Sequence, residues 1–416
     1  MKENQPDLLS LLIKYHATRG RYTCYPQTKY WGQTGNAEAW AKKVLQTYDE
    51  KKGVDLYLHI PFCSSLCTFC GLNIKISKNN AQIESLIAAM EEEWKGYKKL
   101  LPSIKINSIY VGGGSPSFLS TQEIAKLLDV ILDGANQSET FFGTMELGPK
   151  VTEKSFLKEI RARGFTRINL GVQDFDEMVL ANVNREQRFC DVKDIFSWCQ
   201  EFGLSEIVLE FIFGLPLQTA QSVAATYAKV GLLRPSGLKI YPLANVPWQY
   251  EYQQGVGDFN LPSIEEKYRL YLQATALIEK MGYRNVGMNH FFDPDSDIFK
   301  ARQHNALERN VTGFTVGQSQ QLIGLGPSAI SYVPGAYQQN VPVLEEYIFK
   351  YTVRPEKESA RTYFQSESDL VLQQAFLNLI CKGKSDLSSV KELYTPSLFN
   401  AVLESCGRCK MMVCFI

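Results

Sequence analysis

From Val54 to Leu243 the sequence repeats one unit. A short apolar run rich in β-branched and aromatic residues ends in Gly, Pro or Asn, and a stretch with helical spacing follows. The runs cover residues 54–60, 106–113, 143–148, 166–172, 206–214 and 237–243. The helical stretches are Gln82–Lys98, Thr121–Leu132, Thr152–Arg163, Val192–Phe202 and Ala220–Leu233. Successive strands joined through a helix run parallel, so about six such units predict an α/β fold with helices outside a parallel sheet. That sheet is either curled into a partial barrel or open and doubly wound. In both, ligands gather at the carboxyl ends of the strands.

The flanks are less regular. Residues 1–50 read as an N-terminal arm, with a short helix at Leu8–Tyr15 and the loop RGRYTCYPQTKYWG, whose aromatics either pack over a core edge or cap a flat substrate. Residues 51–260 hold the repeated core; 261–350 open with the amphipathic helix Ile264–Met281 and continue in loops; 351–416 read as helical, with polar linkers near 354–359 and 383–389. The chain has 44 basic and 44 acidic residues, a net charge of zero, so nothing calls for nucleic acid or an anionic membrane as partner. No run approaches the ~18 apolar residues of a membrane span and no signal peptide is evident, which points to a cytoplasmic protein. Ten cysteines in such a setting are expected to be reduced.

Three of those cysteines follow the first strand directly, in LYLHIPFCSSLCTFCGL (residues 56–72). Cys63, Cys67 and Cys70 stand in a C-x3-C-x2-C spacing on a loop. A structural zinc site takes four protein ligands, and a [4Fe–4S] cluster normally takes four cysteines. Three close thiols therefore suggest a cluster with one iron left open. They also fit ordinary buried thiols, or a zinc site completed by His59 or a distant residue.

Other polar groups fall at strand ends. The turn GGGSPS (112–117) ends the second strand, where glycines serve a tight turn or let a ligand reach the backbone. Glu146 closes the third strand and is either solvated or turned to the ligand rim. Gln173 ends the fourth, and Arg185 follows in NVNREQ, where its fork suits a carboxylate. Glu210 lies within the apolar VLEFIFG, a costly place for an acid without a partner. Cys406, Cys409 and Cys414 near the end are either free thiols or a further metal site.

The cysteine spacing, with Phe69 before the last cysteine and Gly71 after it, resembles the signature of the radical S-adenosylmethionine (SAM) enzymes. In that superfamily the open iron chelates SAM, whose reductive cleavage gives a 5′-deoxyadenosyl radical, and a GGG-type loop after the second strand holds the SAM amino group. RYTCYP, LYLHIPFCSSLCTFCG, VGGGSPSFL, GFTRINLGVQDFD, VNREQ, IFGLPLQT, GMNHF, and RN followed by GFT and GLGPSAIS are together similar to the oxygen-independent coproporphyrinogen III oxidases, in the same order over about residues 15–340.

The resemblance implies a partial (β/α)6 radical SAM barrel with an N-terminal arm and a helical C-terminal domain. It implies a [4Fe–4S] cluster on Cys63, Cys67 and Cys70, and two SAM molecules lined by Tyr57, Phe69, Gly113, Gly114, Ser115, Glu146, Gln173, Arg185, Glu210, Ala244 and Ile330, with Tyr57 and Glu146 catalytic. The implied reaction is oxidative decarboxylation of two coproporphyrinogen III propionates to vinyls, giving protoporphyrinogen IX, in a monomer reduced by a donor such as flavodoxin or ferredoxin. The chain departs from the pattern at Leu72, usually Cys; Glu210, usually Asp; Asn289, commonly Asp; and Val311 and Thr312, where an aromatic and Gln are usual. These departures are expected to cluster around the substrate and the second SAM. They keep three alternatives in view: a radical SAM C-methyltransferase, a haem-degrading relative and a haem-binding chaperone.

Overall fold

The computed structural model describes residues 23–32, 35–77, 80–244, 246, 253, 261–317, 319–354, 360–397 and 399. Leu8–Tyr15 and Cys406, Cys409 and Cys414 lie outside the described residues. Helix α1 (Ala37–Thr47) precedes the core, with Asn36 capping it by accepting from the Ala39 amide at 2.9 Å. Six strands follow: β1 (Val54–Ile60), β2 (Lys105–Gly113), β3 (Asn136–Leu147), β4 (Phe165–Gln173), β5 (Glu206–Phe213) and β6 (Gly237–Pro242). Between them run α2 (Asn80–Leu100), α3 (Thr121–Leu132), α4 (Lys154–Ala162), α5 (Phe189–Phe202) and α6 (Ala220–Leu233). Capping boxes at Ser120 and Thr219 set where α3 and α6 begin, at the residues expected from the pattern.

β1 to β6 pair in chain order, each parallel to the next. After α7 (Ile264–Lys280) the sheet grows at both ends. β7 (Arg284–Gly287) and β8 (His290–Phe292) extend it antiparallel beyond β6. β9 (Gln321–Leu325) returns to the other side and pairs parallel with β1, followed outward by antiparallel β10 (Ile330–Val333), β11 (Ala336–Gln339) and β12 (Arg361–Phe364). Helices α8 (Leu344–Thr352) and α9 (Glu367–Lys382) follow β11 and β12. The result is one twelve-stranded sheet with six parallel strands in chain order, as the (β/α)6 reading expects. Residues after 280 thus carry six sheet strands where mostly loops and helices were expected.

The strands alternate by face. Val54, Leu56 and Leu58 of β1 are fully buried in the core shared with Ile87, Met90 and Trp94 of α2, each such side chain contributing about 1.5–3 kcal/mol of burial. The intervening Asp55, Tyr57 and His59 point to the other face. There Asp55 stands opposite Ser108, Tyr57 opposite Tyr110 and His59 opposite Gly112. The outer face is therefore apolar and covered by helices, and the inner face is polar. Of the aromatic arm loop, Trp31 stacks on Tyr337 with ring centroids 5.2 Å apart and donates to the Pro26 carbonyl at 3.1 Å, so it packs over the β11 side of the sheet. Among the described residues no helix is long and apolar enough to cross a membrane.

Candidate active site at the strand ends

The cysteine loop is stitched to its surroundings by backbone bonds. Phe62–Cys63 pairs with Lys75–Ile76, and the Lys75 amide donates to the Pro61 carbonyl at 2.7 Å. The Cys70 amide closes a turn on the Cys67 carbonyl at 3.1 Å. From across the cavity, Thr68 donates its amide to the Val183 carbonyl at 3.1 Å, and the Asn184 side chain donates to the Leu66 carbonyl at 2.7 Å. These last contacts explain why NVNREQ belongs to the site: it braces the thiol loop. Burial pushes the Cys63 thiol up to about 12 and raises Cys70 as well, with the neighbouring thiols adding to the effect at Cys63.

Glycine density in the second-strand turn has a steric cause. A Cβ on Gly112 would lie 2.7 Å from the Glu146 carboxyl carbon, one on Gly113 would lie 2.7 Å from His59 Cε1, and one on Gly114 would lie 2.5 Å from the Phe62 carbonyl oxygen. Gly113 also has φ +113°. The amides here are spent: Gly113 donates to Glu146 at 3.1 Å, Gly114 to the Ile60 carbonyl at 2.8 Å, and Ser115 to the Phe62 carbonyl at 2.9 Å. The turn is left with mainly acceptors, its carbonyls and the Ser115 hydroxyl, to offer a ligand. Acceptors suit an ammonium group.

Glu146 is fixed by neutral donors. The Tyr110 hydroxyl and the Gly113 amide both donate to it, and the Asn169 side chain donates to the Tyr110 oxygen at 2.9 Å. Burial and then the charge of Glu210 hold the Glu146 carboxyl above the ordinary carboxylate range. Glu210 pairs with Lys239 of β6 at 3.1 Å. Arg185 sends Nη1 to the Cys67 sulfur at 3.6 Å, Nε to Gln187 at 2.9 Å and Nη2 to the Gly171 carbonyl, so three of its five N–H groups are used within the protein.

These groups meet. Cys63, Cys67, Cys70, Phe69, Gly113, Gly114, Ser115, Glu146, Gln173, Arg185 and Glu210 line one cavity of about 970 Å³, counting the space that opens to solvent. It lies outside the carboxyl ends of β1–β5, where parallel sheets of this kind place their ligands. Two residues inferred from the resemblance are not brought to it. Ala244 is exposed beyond β6, and Ile330 is buried with Cys24, Trp31 and Tyr337 at the start of β10. Tyr57 is also off the lining: its hydroxyl donates to His59 Nδ1 at 2.8 Å. His59 Nε2 faces the Asn73 carbonyl at 3.0 Å and so carries the ring proton. Burial lowers His59 to about 4, keeping it neutral, and with both nitrogens engaged it is not a zinc ligand.

The donor set fits a cluster better than a single ion. Zinc–sulfur bonds of about 2.3 Å would draw tetrahedral ligands to within ~4 Å of one another. Among the described residues no group of three Cys, His, Asp or Glu side chains is arranged to hold a single metal ion. Three soft thiols lining one cavity, with no other described cysteine in that lining, match three iron corners instead.

Comparison with known proteins agrees. The radical SAM superfamily profile matches residues 57–230. Coproporphyrinogen III oxidase from Escherichia coli, described as a radical SAM enzyme, superposes with TM-score 0.85 at 29% identity, covering 92% of this chain and 86% of that one. The oxygen-independent coproporphyrinogen III oxidase of Escherichia coli is 30% identical over 386 residues, 92% of this chain and 83% of the relative. The chain belongs to the oxygen-independent coproporphyrinogen III oxidase family. The namesake from Cereibacter sphaeroides is 28% identical, over 92% of this chain and 85% of its own. Membership makes this a radical SAM oxidoreductase with a [4Fe–4S] cluster and SAM as its cofactors.

Within this family, the departures of the chain separate in space. Leu72 and Glu210 line the cavity. Asn289 does not: it is 1% exposed, at φ +58°, and accepts from the Tyr271 hydroxyl at 3.0 Å, a left-handed position that asparagine tolerates. Val311 packs against the Trp31 cluster, and Thr312 donates to Asn310 at 2.7 Å in a turn. Of the departures expected around the substrate and the second SAM, Leu72 and Glu210 line this cavity and the other three do not. Sequence reading also passed over Tyr110, Asn169 and Lys239. Lys239, a charge inside GLKIYP, carries the same signal that drew attention to Glu210.

A substitution in the glycine turn tests this construction. Gly113→Ala combines backbone strain of about 1–3 kcal/mol with a clash into His59. Iron content after reconstitution should stay near that of the wild type, while SAM affinity, followed by titration, falls ~10-fold or more.

Proposed function

We propose that this protein catalyses the oxidative decarboxylation of coproporphyrinogen III to protoporphyrinogen IX, converting two propionate side chains to vinyls. The observation that supports this most strongly is the single cavity in which three thiols, an acceptor-rich glycine turn and two carboxylates face one another at the strand ends. Cys63, Cys67 and Cys70 would hold the cluster. The cluster and SAM, when bound, supply one-electron reduction and hydrogen-atom abstraction from an unactivated carbon. Each propionate would lose one hydrogen atom, one carbon dioxide and one electron.

The chain's own residues position and exclude. The Gly113–Ser115 turn and Glu146 would take the SAM ammonium and ribose hydroxyls, with Glu210 and Gln173 completing the wall. Arg185, already bonded to the Cys67 sulfur, would offset thiolate charge and keep two N–H groups for a carboxylate. Phe69, Leu72, Ile74 and Val151 give the wall an apolar part, which would help keep water from a reactive radical. Tyr57 would act through His59 rather than on substrate. Such chemistry suits a reducing cytoplasm and a low-potential donor such as flavodoxin or ferredoxin, with the protein acting as a monomer.

The test is anaerobic. The reduced, iron-reconstituted protein should change its electron paramagnetic resonance spectrum when SAM is added, and should form 5′-deoxyadenosine faster with coproporphyrinogen III present. An unchanged spectrum and no stimulation would overturn the proposal.

A further inference from the structure

A buried cation on the inner face is used by neither the thiol loop nor the glycine turn. Lys239 of β6 stands directly across from Glu210 of β5, and its Nζ lies 3.1 Å from Glu210 Oε1. The two side chains are only 10% and 22% exposed. Burial works against the Lys239 ammonium, but Glu210, Tyr241 and Glu146 beside it outweigh that and hold it charged. Placing a lysine inside an apolar strand costs several kcal/mol unless it is paired, and Glu210 is the partner the register provides.

The pair does more than satisfy itself. Glu146 and Glu210 face one cavity, but they are held differently. Glu146 is fixed by two neutral donors from the Tyr110–Gly113 segment. Glu210 has three rotatable bonds, and Lys239 fixes one of its oxygens. Among the described residues no protein group is bonded to the other, Oε2, and the side chain lines the cavity. Lys239 also offsets the charge of Glu210, while Arg185 is bonded to Gln187, Cys67 and Gly171 and not to Glu210.

We propose that Lys239 is a positioning residue for SAM: it tethers Glu210 by one oxygen so that the other is presented, at fixed charge, to the bound cofactor. This rests on the SAM site proposed above and deepens it.

The experiment is a SAM titration of the anaerobically reconstituted protein, read by equilibrium binding rather than turnover, with iron content and melting temperature followed in parallel. Lys239→Met should weaken SAM binding ~10-fold or more with iron content unchanged. Glu210→Asp, which shortens the arm and breaks the tether, should cost ~5-fold or more. Adding Lys239→Met to Glu210→Asp should then cost less than ~3-fold further, because the coupling is already lost. Adding the longer Lys239→Arg to Glu210→Asp should instead restore binding to within ~3-fold of the wild type; this charge-conserving pair still decides the matter if Lys239→Met fails to load iron. Wild-type affinity in Lys239→Met, or equal penalties on both Glu210 backgrounds, would overturn the proposal and leave Lys239 a stability residue. If the wild type binds no SAM, the failure belongs to the underlying reading.

Discussion

Cys67→Ala is expected to abolish iron binding. The wild type, reconstituted without oxygen, should carry about four iron atoms per chain, and the variant close to none, because a cluster held by two thiolates has no third corner to fix it. Cys63→Ala and Cys70→Ala should behave alike, and 5′-deoxyadenosine formation should fall ~1,000-fold or more in all three. Cys190→Ala is the control, since Cys190 is an exposed free thiol on α5, away from the cavity. Iron analysis and visible absorption give the answer before any substrate is added. Full iron loading in Cys67→Ala would show that the loop is not the cluster site and would return the thiols to an ordinary structural role.

The second large effect is on stability. Glu93 of α2 is 4% exposed, yet four groups donate to it: the Gly326 amide at 3.1 Å, the Asn340 side chain at 2.8 Å, the Tyr351 hydroxyl at 2.9 Å and the Tyr347 hydroxyl. It thereby ties α2, the turn after β9, the end of β11 and α8 together. Gly326 sits at φ +102° with its backbone so close to His59 that a Cβ would lie 2.6 Å from the His59 carbonyl oxygen. Glu93→Ala strands several buried donors at about 1–3 kcal/mol each, so a total loss of ~3–5 kcal/mol is expected. Against a stability of about 5–15 kcal/mol this is a large fraction. The melting temperature should drop by roughly 3–6 °C.

The pH dependence of that loss has a definite sign. Burial holds the Glu93 carboxyl above its ordinary range, and the four donors only partly offset this. Between the unfolded and the raised folded value, the folded protein binds more of this proton than the unfolded chain does. Stability contributed by this group is complete below its unfolded value and is lost as pH rises through the shifted folded value. The gap between wild type and Glu93→Ala, measured by denaturant unfolding of the holoprotein, should be widest at acid pH and shrink as pH increases. A gap that grows with pH would mean that Glu93 is held as a favourable carboxylate instead.

The six parallel strands were legible as short apolar runs bounded by Gly, Pro or Asn, although β3 starts at Asn136, seven residues before the expected 143, and the capping residues Ser120 and Thr219 were not read as such. The later strands were not legible, because Arg284–Gly287, His290–Phe292 and Ile330–Val333 span three or four residues each and gain their order from neighbours. Gln321–Leu325 reads as a glycine-broken loop, yet it pairs with β1, whose residues lie far earlier in the chain. The same limit applies within the site. Glu210 announced itself as an acid in an apolar strand, but its bond to Lys239 depends on cross-strand register, which spacing along one chain does not show. Ile330 and Ala244 came from motif resemblance, and nothing in their own chemistry marked them.

What leaves the tetrapyrrole decides the activity. Reduced, reconstituted protein incubated anaerobically with SAM and coproporphyrinogen III should yield a product lighter by two carbon dioxide molecules and four hydrogens, with two 5′-deoxyadenosines formed per product. If 5′-deoxyadenosine accumulates while the tetrapyrrole mass stays unchanged, the radical machinery is present but the decarboxylase assignment is wrong.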